Sequence, residues 1–223
     1  MTFSTVIQNI IKIMSKYWDV FLIKGVSVTL ALAAITVFCG AIIGALLASM
    51  KMSPLGILRA IVTAFVEVIR GTPLLLQLYI GYFIVPLMVP ALEIGTFASI
   101  AVALVINSAA YVSEVIRSGI QAVDIGQTEA ARSLGLSKGQ TMTKVILPQA
   151  VKNILPALGN EFVTIIKDTS LASTFFVGDL MTSSVTVKGQ TYLAFESRII
   201  VCVLYFVLSK LVGAYERRLK QSD

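Results

Sequence analysis

The sequence predicts an all-α polytopic membrane protein, and three observations carry that reading. Hydrophobic residues make up 57% of the 223-residue chain and charged residues only 13%, against about 45–50% and about 25% in a soluble domain. Mean hydropathy is +0.88. The apolar residues also fall into runs near the roughly 20 residues that a membrane-crossing helix needs. So much apolar surface excludes disorder. The chain has no histidine, which removes Ser-His-Asp, Cys-His and His-metal chemistry together, and no metal site is expected. Cys39 and Cys202 lie inside apolar runs without CxxC spacing and read as small buried hydrophobes. A net charge of +6 is what cationic cytoplasmic loops give a membrane protein, so no nucleic-acid partner is expected.

The first element is amphipathic. Val6, Ile10, Ile11, Met14, Tyr17 and Trp18 recur at helical spacing, with Gln8, Lys12 and Ser15 opposite. This predicts an interfacial helix within residues 1–21, the alternative being an extension of the first span. These residues hold three charges and no charge-free apolar core, so no cleavable signal is expected. Residues 22–223 then read as one transmembrane domain with five transmembrane helices. Gly25 to Met50, Gly71 to Leu92 and Ile94 to Ser113 are free of charge. Asn153 to Gly178 is apolar apart from Glu161, Lys167 and Asp168, and Tyr192 to Tyr215 apart from Glu196, Arg198 and Lys210.

Charge placement orients the spans. Arg117, Arg132, Lys138, Lys144 and Lys152 fall on one side, together with Lys51, Arg59 and the tail residues Arg217, Arg218 and Lys220. Only Lys188 and the N-terminal Lys12, Lys16 and Lys24 face the other. The excess places the large loop and the C-terminus in the cytoplasm and the N-terminus outside.

That loop, about residues 119–150, is too polar for lipid. Thr128 to Leu134 is helix-forming, and Gly135 stands where a C-terminal cap belongs. Ser137 and Gln140 have capping-box spacing for a second short helix, running through Met142, Val145 and Ile146 toward Pro148. Two short helices joined by a tight turn need a partner to pack against; an ordinary amphipathic connector is the alternative.

The loop carries a resemblance. Glu129-Ala130-Ala131, three residues, Gly135, nine residues and Val145-Ile146-Leu147-Pro148 resemble the EAA loop of ABC importer permeases, with Val145 in place of the usual Ile. Glu67 to Gln77, and Asn160-Glu161-Phe162 followed by Lys167 to Leu171, resemble the polar amino-acid uptake branch. The resemblance spans about residues 20–215. It implies the type I permease fold, with the loop as a coupling helix docked on a separate ATPase through Glu129, Ala130, Ala131 and Gly135. The implied partners are an ATP-binding subunit dimer, a second permease subunit, an extracytoplasmic amino-acid-binding protein and membrane lipid. This chain has no GxxxxGK[ST]. It is not expected to be an enzyme or to bind a cofactor, ATP and Mg being used by the partner.

Charges inside the spans are the remaining candidates, since each costs about 2.5–3.5 kcal/mol on insertion scales. Glu161 and Asp168 share one helix face, and Lys167 lies about 100° to the side. Asp168, Thr169 and Ser170 offer carboxylate, hydroxyl and backbone groups of the kind a zwitterionic substrate needs; a structural salt bridge is the alternative. The resemblance implies that Glu161, Lys167, Asp168, Ser170 and Leu171 line the translocation pocket. Glu67 with Arg70, and Glu114 with Arg117, are i,i+3 pairs, read either as a gating network or as plain ion pairs. Gly71-Thr72-Pro73 predicts a kink that exposes carbonyls to a cavity, which adds Thr72 and Gln77 to the pocket. The expected function is that of a permease moving polar amino acids by alternating access in the cytoplasmic membrane of a prokaryote. The rivals are a gradient-driven transporter using Glu161 and Asp168 for ion coupling, and a channel subunit.

Overall fold

The computed structural model describes residues 2–221, except for the side chains of Leu92 and of residues 215–221. Every regular element among the described residues is helical. Helix α1 (Phe3–Trp18) bends at Tyr17 and continues through a π-helical turn, Asp19–Gly25, into α2 (Val26–Lys51). The amphipathic segment is therefore joined to the first span in one helical run, Phe3–Lys51. Ile13 buries against the inner face of α10 (Ala194–Gln221), and Asn9 donates a 2.8 Å hydrogen bond to Glu196, which is 1% exposed.

The second expected span, Gly71 to Leu92, is shortened to α4 (Leu74–Met88). A helix outside the expected spans, α3 (Gly56–Gly71), precedes it, stops at Thr72 and lies at 111° to it. Pro73 explains the break: it offers no N–H and holds the preceding residue extended, and Thr72 has φ −114°, ψ 148°.

Helix α5 (Thr96–Gln121) is the central, most buried span, and α2 lies along it. The close approach is made by a stripe of small residues, Thr36, Gly40, Gly44 and Ala48. A side chain at Gly44 would begin 2.7 Å from the Val112 Cβ and 2.9 Å from the Ala109 carbonyl.

The loop holds α6 (Ile125–Ser133) and α7 (Lys138–Thr141), but its second helix does not end at Pro148. It passes through a π-helical turn, Met142–Ile146, into α8 (Leu147–Asp168), whose first turn contains Pro148. The π-helical turn before it accommodates the proline, because it already departs from the i→i−4 ladder that Pro148 cannot join.

The fourth expected span also ends early. After Asp168 the chain forms a 3₁₀ stretch, Thr169–Phe175, turns through Phe176 (φ 52°) and enters α9 (Leu180–Thr191). Sequence pattern had placed 180–191 outside the spans. The helix is instead largely buried, against α10 and the 19–25 turn.

Each of the five expected spans has a helix, with these altered bounds. By length and apolarity three runs qualify to cross a bilayer, Phe3–Lys51, Thr96–Gln121 and Ala194–Ala214, and the bent α3–α4 pair makes a fourth. Helix α8, with its four charges (Lys152, Glu161, Lys167 and Asp168), does not qualify by itself. Cys39 is half-buried and Cys202 exposed, both as free thiols, which corrects their reading as buried. Arg217, Arg218 and Lys220 lie outside the described side chains.

Candidate functional site

The loop helices form a capped hairpin. Asp124 caps α6 by accepting the Gly126 N–H at 2.7 Å. At the other end the Leu136 N–H bonds the Ala131 carbonyl (3.1 Å) and the Gly135 N–H bonds the Arg132 carbonyl (3.0 Å). This is a Schellman motif, closed by Gly135 at φ +85°, and Arg132 adds a bond to the Leu136 carbonyl at 2.6 Å. The Ser137–Gln140 capping box is formed in both directions. Ala131 faces inward, 5% exposed, whereas Glu129 and Ala130 are exposed and Leu134 is 81% exposed at the turn. The hairpin is thus a rigid, outward-facing ridge. Gln149 donates to Gln127 at 3.2 Å and holds it to α8.

At the ends of α2, α3 and α5, with α5 ending four residues before the hairpin begins, is a cluster of charges. Glu114 accepts two hydrogen bonds from Arg117 (2.8 and 3.1 Å) and one from Lys51. Arg117 also donates to Gln121 at 2.6 Å. Arg70, on α3, lies 3.8 Å from the same carboxylate and 5.4 Å from the Tyr111 ring centroid.

The expected Glu114–Arg117 pair is therefore formed, but the Glu67–Arg70 pair is not. Arg70 turns to the more enclosed carboxylate on α5, where it gains an aromatic face as well. Glu67 makes no ion pair among the described residues and lines a cavity of about 350 Å³ with Lys51, Arg59 and Glu114.

One face of α5 further along meets the α3–α4 break. Gln77, 9% exposed, donates to the Ile69 carbonyl (2.6 Å), the Thr72 carbonyl (3.1 Å) and the Thr72 hydroxyl (2.9 Å). Asn107 of α5 donates to the Gln77 carbonyl oxygen at 2.9 Å. The Val68, Ile69 and Thr72 carbonyls at the break are thus bonded within the protein rather than left open to a cavity. Gln77 serves as the side-chain cap of α3.

On α8, Glu161 and Asp168 are half-buried and Lys167 is exposed. None of the three has a side-chain hydrogen bond or ion pair among the described residues, which argues against a closed salt bridge. Ser170 is half-buried, with its carbonyl accepting from Ser173 at 2.7 Å. Leu171, half-buried, packs against the core of Leu78, Leu104 and Ala172. No hydrogen bond among the described residues joins this set to Thr72 and Gln77.

Asn107, Tyr111 and Asp179 are absent from the sequence reading. Asn107 was open to inference as a lone amide in an apolar span, seven residues before Glu114. Asp179 gave no signal, because the helix it caps was not foreseen. It is fully buried and accepts from the Met181 N–H (2.9 Å), the Thr182 hydroxyl and the Tyr205 hydroxyl (3.4 Å).

Comparison with known proteins agrees with this architecture. The chain is 40% identical over 207 residues to the arginine transport system permease protein ArtQ of Bacillus subtilis (strain 168), covering 91% of this chain and 94% of that protein. It is 41% identical over 197 residues to the putative glutamine transport system permease protein GlnP of Rickettsia bellii (strain RML369-C), covering 88% and 90%. Among solved structures it superposes on a chain of an amino acid ABC transporter crystallised with histidines, at TM-score 0.88, 42% identity and 94% and 97% coverage. An inward-facing MetNI methionine ABC transporter shares the fold at TM-score 0.75, 23% identity and 91% and 95% coverage. Residues 40–221 match the description of the binding-protein-dependent transport system inner membrane components, and the chain belongs to that family.

Proposed function

We propose that the chain is the permease subunit of an ATP-driven importer that carries polar amino acids across a prokaryotic cytoplasmic membrane by alternating access. The observation that carries this reading is the doubly capped hairpin, whose exposed Glu129, Ala130 and Leu134 lie on one outward ridge. A short helix pair stiffened at both ends passes a push on as a rigid-body movement. Glu129 and Ala130 dock on an ATP-binding subunit, which binds ATP and Mg, while inward-facing Ala131 and the turn at Gly135 hold the shape of that docking element. The relatives' names, for arginine and glutamine transport, support an amino-acid cargo.

Glu161 and Asp168 supply carboxylates for its ammonium group, with Ser170 beside them. Lys167, Thr72 and Gln77 have weaker support as pocket residues: the first is exposed and the other two are bonded to each other and to the α3 terminus. Lys51, Arg70, Glu114 and Arg117 hold α2, α3 and α5 together next to the hairpin, a placement that suits a gate, and Glu67 borders them. A second permease subunit, an extracytoplasmic amino-acid-binding protein and lipid complete the assembly, with the N-terminus outside and the C-terminus in the cytoplasm.

Purification of the tagged chain from native membranes in mild detergent tests the reading. An ATP-binding subunit co-purifies, and it is lost in Glu129→Lys and Gly135→Val. Recovery of the chain alone, with uptake that proceeds without ATP, would replace it with the gradient-driven transporter.

A further inference from the structure

The geometry points to a binding site for a phosphate-bearing anion, a phospholipid headgroup at the membrane boundary, in the cavity between α2, α3 and α5. Four cations, Lys51, Arg59, Arg70 and Arg117, and two carboxylates, Glu67 and Glu114, line this space of about 350 Å³. Positive charge is therefore in excess by two. The excess is not absorbed internally. Glu114 takes the hydrogen bonds of Lys51 and Arg117; Arg70 reaches it only as a 3.8 Å ion pair, and neither Arg59 nor Arg70 donates a side-chain hydrogen bond among the described residues. Arg59, Glu67 and Arg70 share one face of α3 at spacings of eight and three residues, so the single carboxylate of Glu67 is outnumbered on its own helix.

Two guanidinium groups with unused donors, flanking one cavity, match the oxygens of a phosphate, which accepts paired N–H bonds. The location favours a lipid as the source. Lys51 ends α2, Arg59 lies in the first turn of α3 and Arg117 is one turn from the end of α5, so the cavity opens where the helices leave the apolar layer. Basic pockets between spans on the cytoplasmic side take anionic headgroups. The cytoplasmic assignment rests on the orientation proposed above; the site itself does not.

Arg59 is exposed and can report on occupancy. The assembled complex is placed in nanodiscs of phosphatidylcholine, of phosphatidylcholine with phosphatidylglycerol, and of phosphatidylcholine with added inorganic phosphate. Labelling by phenylglyoxal is then followed by peptide mapping at Arg59, relative to exposed Arg132 on the hairpin. Phosphatidylglycerol is expected to slow Arg59 several-fold against Arg132, and Arg70→Gln to remove most of that protection. Slowing by inorganic phosphate alone would keep the anion site but assign it to free phosphate. An Arg59-to-Arg132 ratio equal in all three media would overturn the proposal, as would protection untouched by Arg70→Gln. Neither readout depends on transport, so failure here leaves the importer reading standing.

Discussion

Two groups of carboxylates in this chain have opposite surroundings. Glu114 is saturated, drawing cations from three helices, whereas Glu161 and Asp168 are half-buried with no partner among the described residues. A carboxylate already satisfied contributes to stability; one held partly desolvated and unpaired is available to a ligand. Glu114→Ala should therefore cost stability, at about 1.5–3 kcal/mol for a charge-assisted hydrogen bond, seen as a lower unfolding temperature of the assembled complex. Glu161→Gln and Asp168→Asn should leave that temperature nearly unchanged and abolish uptake in proteoliposomes. Normal uptake by both variants would remove them from the pocket.

Whether a helix could be foreseen depended on how local its cause was. The hairpin was legible because Gly135, Ser137 and Gln140 act on backbone groups three to five residues away, so their chemistry is written in the spacing. The α3–α4 break was legible for the same reason, through Pro73. Helix α9 was hidden because three of its five buried residues are Thr182, Ser183 and Ser184, which read as loop until neighbouring helices supply their burial. The Glu67–Arg70 pairing failed on tertiary grounds, since i,i+3 spacing permits a pair but a better acceptor on α5 captured the arginine. Helix packing gives a further prediction at this scale. Gly44→Val forces branched carbons against Val112 and the Ala109 carbonyl, and overpacking of this kind costs about 1–3 kcal/mol. Thermal unfolding of the purified complex should register it as a lower transition, while substitution of exposed Ala45 by Val, one residue along on α2, should not.

For the whole molecule the decisive tie is Asp179. Around it the Leu180 N–H bonds the Thr29 hydroxyl of α2 at 3.0 Å, and the Ser183 hydroxyl bonds the Val20 carbonyl at 3.0 Å. With Tyr205 of α10, these bonds fasten the first helical run, α9 and the last span at one buried point. Asp179→Ala removes the cap of α9 and leaves its donors buried without an acceptor, a loss of about 1–3 kcal/mol per group. Limited proteolysis should then cut between residues 176 and 193 faster than in the parent chain, with Lys188→Ala as the inert comparison on the same helix.

The short buried helix also bears on how the chain is made. At about 1.5 Å per residue, the 12 residues of α9 reach roughly 18 Å, well short of the roughly 30 Å hydrocarbon layer. Helix α8 before it carries four ionisable side chains that a translocon would resist releasing sideways into lipid. Neither segment can enter the bilayer on its own merits as it leaves the ribosome. Residues 147–191 must therefore wait at the insertion machinery until α10 has been synthesised, and integrate with it as one unit.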